Sequence, residues 1–366
     1  MKVLCDREKL REGLALASSV IPTKSTRPAI ENVYLVATDD ALELVGTDLE
    51  VALRYKIQDV KVDDPGIALI PARVASDFVR DLTAETVTLE SRGGNFFITG
   101  NSDSCELVTI DPDEYPSVDR FSDEECISIQ AGNFTKLINR TSFAAAKEQG
   151  RYAMHGILTQ IENQQLEMVA TDGRRLAFTG TPLDVEPSVK HRAIVPTKGM
   201  QLFSRVISDP LEQVKLVFSE NRIGLKTSKA EVFARLIDGE FPRYSAVIPE
   251  SGGAVIEADA ATFAKKLRLV ANLTSQDTRA VRLSFKDGQM TIYGKSAGFG
   301  EASAQMEVDV KGEPEDVAYN PDYLLDGVKN CESDIVRLEY SARTSPGKVN
   351  LGENYIYIVM PITIDT

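Results

Sequence analysis

The apolar positions of this chain follow two rhythms, one helical and one strictly alternating, and the rhythms come in the same order three times. Asp6–Val20 sets Leu10, Leu14 and Ala17 on one side of a helix. Asn133–Ala146 does the same with Phe134, Leu137, Ile138 and Ala145, and Asp259–Asn272 with Phe263, Leu267 and Val270. Behind each stretch stand two runs in which apolar and polar residues alternate. They are NVYLVATDD and ALELVGTDLEVALRY, then GILTQIENQQ and LEMVATDGRRLAFTG, then AVRLSFKDG and QMTIYGKSAGFGEASAQM. Such runs, parted by short polar turns, predict half-buried antiparallel strands.

A second helix follows in each unit, within ALIPARVASDFVRDL, AIVPTKGMQLFSRVI and VAYNPDYLLDGVKN. Pro71, Pro196 and Pro321 recur there at a spacing of 125, and proline suits the first turn of a helix, where its missing N–H would have no partner. Gly46, Ala170 and Gly294 mark equivalent turn positions at a spacing of 124. Further strand-like runs close each unit. Polar, turn-rich stretches near residues 124 and 251 separate the units. The expected organisation is α+β, with three repeated domains at 1–124, 125–250 and 251–366, each of two helices packed on antiparallel sheets. A row of such domains ends in two unpaired sheet edges, and head-to-tail pairing of two chains covers both.

Composition changes this picture little, and charge changes it more. About 43% of the 366 residues are hydrophobic and 26% charged, an ordinary globular balance. No apolar run approaches the length of a membrane span, and the charged start MKVLCDREKL lacks an apolar leader, so a cytoplasmic location is expected. Cys5, Cys105, Cys126 and Cys331 stand far apart with no C-x-x-C pair, which suits reduced thiols rather than disulfides or a zinc site. The net charge of −14 opposes non-specific nucleic-acid binding by the chain as a whole. A role on DNA must then rest on local charge or on topology.

Catalytic constellations are not evident. There are two histidines, His155 and His191, and no zincin, nucleophile-elbow or P-loop motif. Asp48 and Asp172 have the chemistry of paired acids or metal ligands, but the repeat puts them at equivalent turns of separate domains, where a carboxylate commonly caps nearby backbone. The expectation is a protein without an enzymatic site, metal or cofactor.

Four strings carry a resemblance along the whole chain: Gly46-Thr47-Asp48-Leu49-Glu50, Ala170-Thr171-Asp172-Gly173-Arg174-Arg175-Leu176-Ala177, Gly239-Glu240-Phe241-Pro242-Arg243-Tyr244 and Val359-Met360-Pro361. In this order, on a threefold repeat, they resemble the bacterial DNA polymerase III β subunit, or sliding-clamp, family. The resemblance implies the DNA clamp fold: a head-to-tail dimer forming a six-domain ring, helices lining the hole, that encircles duplex DNA and confers processivity on the replicative polymerase. The six predicted helical windows carry a net +5 and the rest of the chain −19, so a helix-lined hole would be weakly cationic within an acidic body. The alternative is a protein-interaction scaffold that never encircles DNA.

The resemblance also implies a peptide-binding pocket that receives short Gln/Leu/Phe-containing segments of the polymerase, the clamp loader and repair proteins. From the second repeat it would take Met154, Thr171, Gly173, Arg174, Arg175 and Leu176, and from the following junction Pro242 and Val247. From the C-terminal region it would take Ile358, Val359, Met360, Pro361 and Ile362, with Asn320 and Tyr323 nearby. Only the second repeat has Asp-Gly-Arg-Arg at its turn, where the first has Asp-Leu-Glu and the third Ser-Ala-Gly, a difference that a purely structural turn does not require. The implied DNA contacts are Lys24, Arg27, Arg151, Tyr152 and Lys198, and the implied dimer interface holds Cys105, Leu107 and Leu273. Two departures from the family pattern stand out. The chain continues past Met360-Pro361 through Thr366 and adds the carboxylate of Asp365, and one aromatic, Tyr152, stands where relatives often have two.

Overall fold

The helical rhythm is realised as α1 (Arg7–Val20), α2 (Ala72–Asp81), α3 (Ala131–Thr141), α4 (Thr197–Val206), α5 (Ala260–Ala271) and α6 (Pro321–Lys329). The computed structural model describes residues 1–147, 152–249, 252–274 and 279–363. Asp6 and Asp259 start α1 and α5 in the same way, each carboxylate accepting the backbone N–H three residues on, at 2.9 and 2.8 Å. Leu10, Leu14 and Ala17 on α1, and Phe263, Leu267 and Val270 on α5, are buried as their spacing predicts. The expected helix to Ala146 is shorter: α3 ends at Thr141 and a 3-10 turn, Ser142–Ala144, follows. The Thr141 hydroxyl there bonds back to the Leu137 carbonyl at 2.9 Å, competing with the helix ladder. Of the three prolines, Pro321 is the first helical residue, Pro71 is the cap before α2, and Pro196 ends the strand before α4.

Among the described residues the strands form four antiparallel sheets. A five-stranded sheet belongs to the first repeat and ends on Asp103–Val108. A four-stranded sheet belongs to the third and runs from Gly300–Glu307 to Val317–Tyr319. The two larger sheets cross repeat boundaries. In the eight-stranded sheet, Val51–Gln58 of the first repeat pairs with Ala230–Arg235 of the second. In the nine-stranded sheet, Arg175–Pro182 of the second pairs with Tyr355–Val359 of the third. The packing therefore divides the chain differently from the repeat. One compact unit is Met1–Thr135 with Lys198–Leu236, and the other is Lys136–Thr197 with Ile237–Thr366. The central repeat contributes to both, because each of its sheets is completed by a neighbour.

Where α6 lies on the nine-stranded sheet, contact is close enough to need glycine. A Cβ on Gly327 would stand 2.6 Å from the Tyr357 ring. Tyr357 is fully buried, its hydroxyl donates to the Tyr323 carbonyl at 3.0 Å, and Phe143 lies 5.5 Å from its ring.

Candidate functional site

The two junctions between repeats are built alike and finished differently. At the second, Leu176 pairs with Ile358 and Phe178 with Ile356, so one face of the joined strands is apolar across all four positions. Leu176 and Ile358 belong to a buried cluster with Leu158, Val169, Ile194 and Phe241. Half-buried Ala153, Ile237, Tyr244 and Ile248 pack against that cluster, and Tyr244 stacks on Phe178 at 6.1 Å. At the first junction the same four positions hold Ala52 opposite Phe233 and Arg54 opposite Glu231. There Arg54 donates to the carbonyls of Val118 and Asp119 at 2.6 and 3.0 Å and pairs with Glu43, which also binds Arg120. Charge and hydrogen bonds fill the first junction; the second keeps an apolar surface.

The turn Thr171–Arg175 borders this surface. Thr171 Oγ1 donates to the Arg175 carbonyl at 2.6 Å and accepts the Gly173 N–H at 3.1 Å. Asp172 Oδ1 accepts the N–H groups of Arg174 and Arg175 at 2.9 and 3.0 Å. Gly173 sits at φ +85°, in the left-handed region where glycine carries no Cβ penalty. The first repeat builds the same turn at Thr47–Val51, with Asp48 in the place of Asp172 and Leu49 at φ +77° in the place of Gly173. Both aspartates thus spend a carboxylate oxygen on capping their own turns.

The C-terminal segment closes the border. Met360 N–H donates to the Arg174 carbonyl at 2.9 Å and Ile362 N–H to the Ala318 carbonyl at 2.8 Å. Met360 and Val247 stay exposed, at 38% and 42%, although both are large and apolar. Such side chains around a half-buried apolar floor can receive apolar groups of a peptide, and methionine adapts to several shapes.

Strand alternation sorts the residues anticipated for the pocket. Leu176 and Ile358 lie on the apolar face, whereas Arg175 and Val359 point to the opposite face, beneath α6. Thr171 is buried inside its turn, Gly173 and Arg174 are exposed, and Met154, Pro242, Pro361 and Ile362 are half-buried. Asn320 caps α6, accepting the Asp322 N–H at 2.9 Å, and Tyr323 lies under the Arg175 guanidinium. The sequence reading passed over Phe178, Ile356 and Tyr244. The first two were accessible to it, standing two residues from Leu176 and Ile358 on the same face.

Among the other anticipated positions, Lys24 and Arg27 are exposed in the loop after α1, and the Lys198 ammonium is paired with the Asp48 carboxylate. Tyr152 opens the 3-10 turn Tyr152–His155, and Arg151 and Asp365 lie outside the described residues. Cys105 is half-buried on the edge strand Asp103–Val108. Leu107 is 5% exposed and its side chain is spent within its own chain, while adjacent Val108 is 75% exposed. Leu273 is half-buried just after α5, and Phe299, 85% exposed, precedes the edge strand Gly300–Glu307. Burial pushes the Cys5 thiol up to about 12, with Asp6 adding to the effect, so this cysteine is an inert core residue. Among the described residues, no His, Cys, Asp and Glu side chains converge as a metal site, and no helix is long and apolar enough to cross a membrane.

Three family models match in succession: the N-terminal domain of the DNA polymerase III beta subunit over residues 1–119, its central domain over 128–243 and its C-terminal domain over 245–363. A beta sliding clamp of Pseudomonas putida is 29% identical over 367 residues, covering 100% of both chains. One of Chlamydia muridarum is 26% identical over 365 residues, covering 100% of this chain and 99% of its own. The crystal structure of the DNA polymerase III subunit beta from Pseudomonas aeruginosa, 28% identical, superposes with a TM-score of 0.92 over 100% of both chains. A sliding clamp from the same organism, solved bound to griselimycin, gives 0.94 at 28% identity, again over 100% of both chains.

Proposed function

The chain belongs to the DNA polymerase III beta subunit family, and from that premise we propose that it is a sliding clamp, a non-catalytic ring around duplex DNA that tethers the replicative polymerase. On this reading the three domains run 1–124, 125–250 and 251–366, and two chains close head to tail through the edge strands Asp103–Val108 and Gly300–Glu307. Among the described residues each strand ends its sheet with one side unpaired, an arrangement that invites pairing with another chain. The weakly cationic helical segments would face the DNA. Weak attraction permits sliding where strong phosphate contacts would stall it. The cytoplasm is the matching location.

The apolar second junction is the peptide-docking surface for the polymerase, clamp loader and repair proteins. One observation carries this: Leu176, Phe178, Ile356 and Ile358 are all apolar where the equivalent first-junction positions include a salt-bridged arginine and a glutamate. Half-buried Phe178, Ile356 and Tyr244 form the floor over buried Leu176 and Ile358, Pro242, Val247 and Met360 the rim, and the exposed Arg174 an orienting cation. Fluorescence anisotropy with a Gln-Leu-x-Leu-Phe peptide tests the assignment. Met360→Ala and Pro242→Ala each weaken binding by roughly tenfold, as truncation at a central contact does, and leave the melting temperature near that of the parent. Unchanged affinity in both variants sinks the assignment. The scaffold alternative is separated by loading onto a nicked circular duplex: a clamp stays bound until the circle is linearised, and a scaffold shows no such dependence.

A further inference from the structure

Arg175 carries a cation into the protein rather than toward a ligand. It is 6% exposed, and every arm of its guanidinium is occupied. Nε donates to Asp172 Oδ2 at 3.0 Å, one terminal nitrogen to Asp326 Oδ2 at 2.6 Å, and the other to the Phe143 carbonyl at 2.8 Å. The guanidinium carbon lies 4.6 Å from the centre of the Tyr323 ring. Burial pulls its pKa down, but Tyr357, the Asp326 hydrogen bond and the Asp172 charge outweigh burial and leave it above the ordinary arginine value. This side chain therefore ties three elements together: the turn Thr171–Arg175, helix α6, and the 3-10 turn after α3.

The turn does not need this arginine to form. In the first repeat, Val51 occupies the equivalent position, and the same side-chain-to-backbone bonds close the turn. Nor are buried ion pairs an efficient route to stability, since apolar replacements of similar volume often serve as well. What Arg175 adds is a fixed relation between the turn and α6. The Arg174 carbonyl of that same turn accepts the Met360 N–H, so the relation extends to the C-terminal rim of the groove.

The geometry points to Arg175 as a positioning residue for peptide docking: held by Asp326 and Tyr323, it sets the turn and Met360 in register without touching the peptide. This rests on the docking surface proposed above. The structure supplies its own control. Arg140 is likewise a buried arginine reaching from the second repeat to a carboxylate of the third, bonding to Glu332, to Thr179 Oγ1 at 2.9 Å and over the Tyr355 ring at 4.7 Å. Thr179 and Tyr355 pair four residues along the strands from Arg175 and Val359, about 13 Å away at strand rise.

The test measures anisotropy of a labelled Gln-Leu-x-Leu-Phe peptide, and the melting temperature, for Arg175→Ala, Arg175→Lys, Asp326→Asn, the double variant Arg175→Ala/Asp326→Asn, and Arg140→Ala. Arg175→Ala and Asp326→Asn each weaken the peptide about tenfold and the double variant loses no more, as expected of two groups acting through one contact. Arg175→Lys, which keeps charge but not the fork, recovers part of the loss. The fold-loss stays the same when the peptide lacks its Phe or its Gln. Arg140→Ala lowers the melting temperature and leaves peptide affinity unchanged. Parent-like affinity in Asp326→Asn and Arg175→Lys overturns the inference, as do additive losses, or a loss that vanishes with one peptide side chain, which marks direct contact. Leu176→Ala and Met360→Ala run alongside: if they too bind like the parent, the groove itself is misplaced, and if they alone weaken binding, only the role of Arg175 fails.

Discussion

Glu332 shows how single side chains hold the second junction. Its carboxylate receives Arg140 and, at 3.1 Å, Lys136. Burial opposes its ionisation, but hydrogen bonds from Arg140 and Lys136 outweigh that and hold its pKa below the ordinary 4.5. A depressed acid stabilises the fold above its unfolded value and loses that contribution as pH falls through its folded value. The stability advantage of the parent over Glu332→Gln should therefore be level at neutral pH and shrink below about pH 4.5, read from urea midpoints across a pH series. Leu49 makes a different point at the same scale. It adopts the left-handed conformation that Gly173 adopts in the second repeat, half-exposed and with a Cβ to accommodate. The hydrogen bonds of a turn can thus override residue preference, and sequence alone did not mark Leu49 as unusual.

At the scale of elements, helix spacing and strand alternation were legible because both are local. The apolar stripes of α1 and α5 and the alternating strands follow from which side chains can share a face. The end of α3 was not legible, because it depends on whether the Thr141 hydroxyl takes a carbonyl that the helix would otherwise use. For the candidate site, the resemblance names consecutive residues, Arg174 to Leu176 and Ile358 to Ile362, on two strands that pair with each other. A strand turns alternate residues to opposite faces, so Arg175 and Val359 could not join Leu176 and Ile358. Phe178 and Ile356 are the residues that share their face. Packing of α6 on those strands depends on Gly327. Gly327→Ala should cost about 1–3 kcal/mol by overpacking against Tyr357, measured by chemical denaturation. A smaller cost would mean that the helix can slide.

For the whole molecule, the repeat was visible in sequence while the division into compact units was not, because that division depends on which strands pair across boundaries. The same holds for association. Of the dimer positions read from sequence, Leu107 is buried in its own chain, while its neighbour Val108, which was not among them, is 75% exposed on the same edge strand. Val108→Lys should place a charge at the proposed seam, lowering the solution mass from two chains to one in light scattering while the melting profile stays cooperative. An unchanged dimer would move the seam elsewhere.

The pairing of strands across boundaries has a further consequence. Each repeat boundary is spanned twice, once by the peptide chain and once by a ladder of backbone hydrogen bonds, Val51–Gln58 with Ala230–Arg235 and Arg175–Pro182 with Tyr355–Val359. The covalent thread is then not the sole join. A gene broken at residue 124 or 251, its two parts translated separately, still encodes pieces with complementary strands, Val51–Gln58 for Ala230–Arg235 in one case and Arg175–Pro182 for Tyr355–Val359 in the other. Neither piece has that sheet complete alone, so what looks in sequence like three beads on a string is also held by a zip.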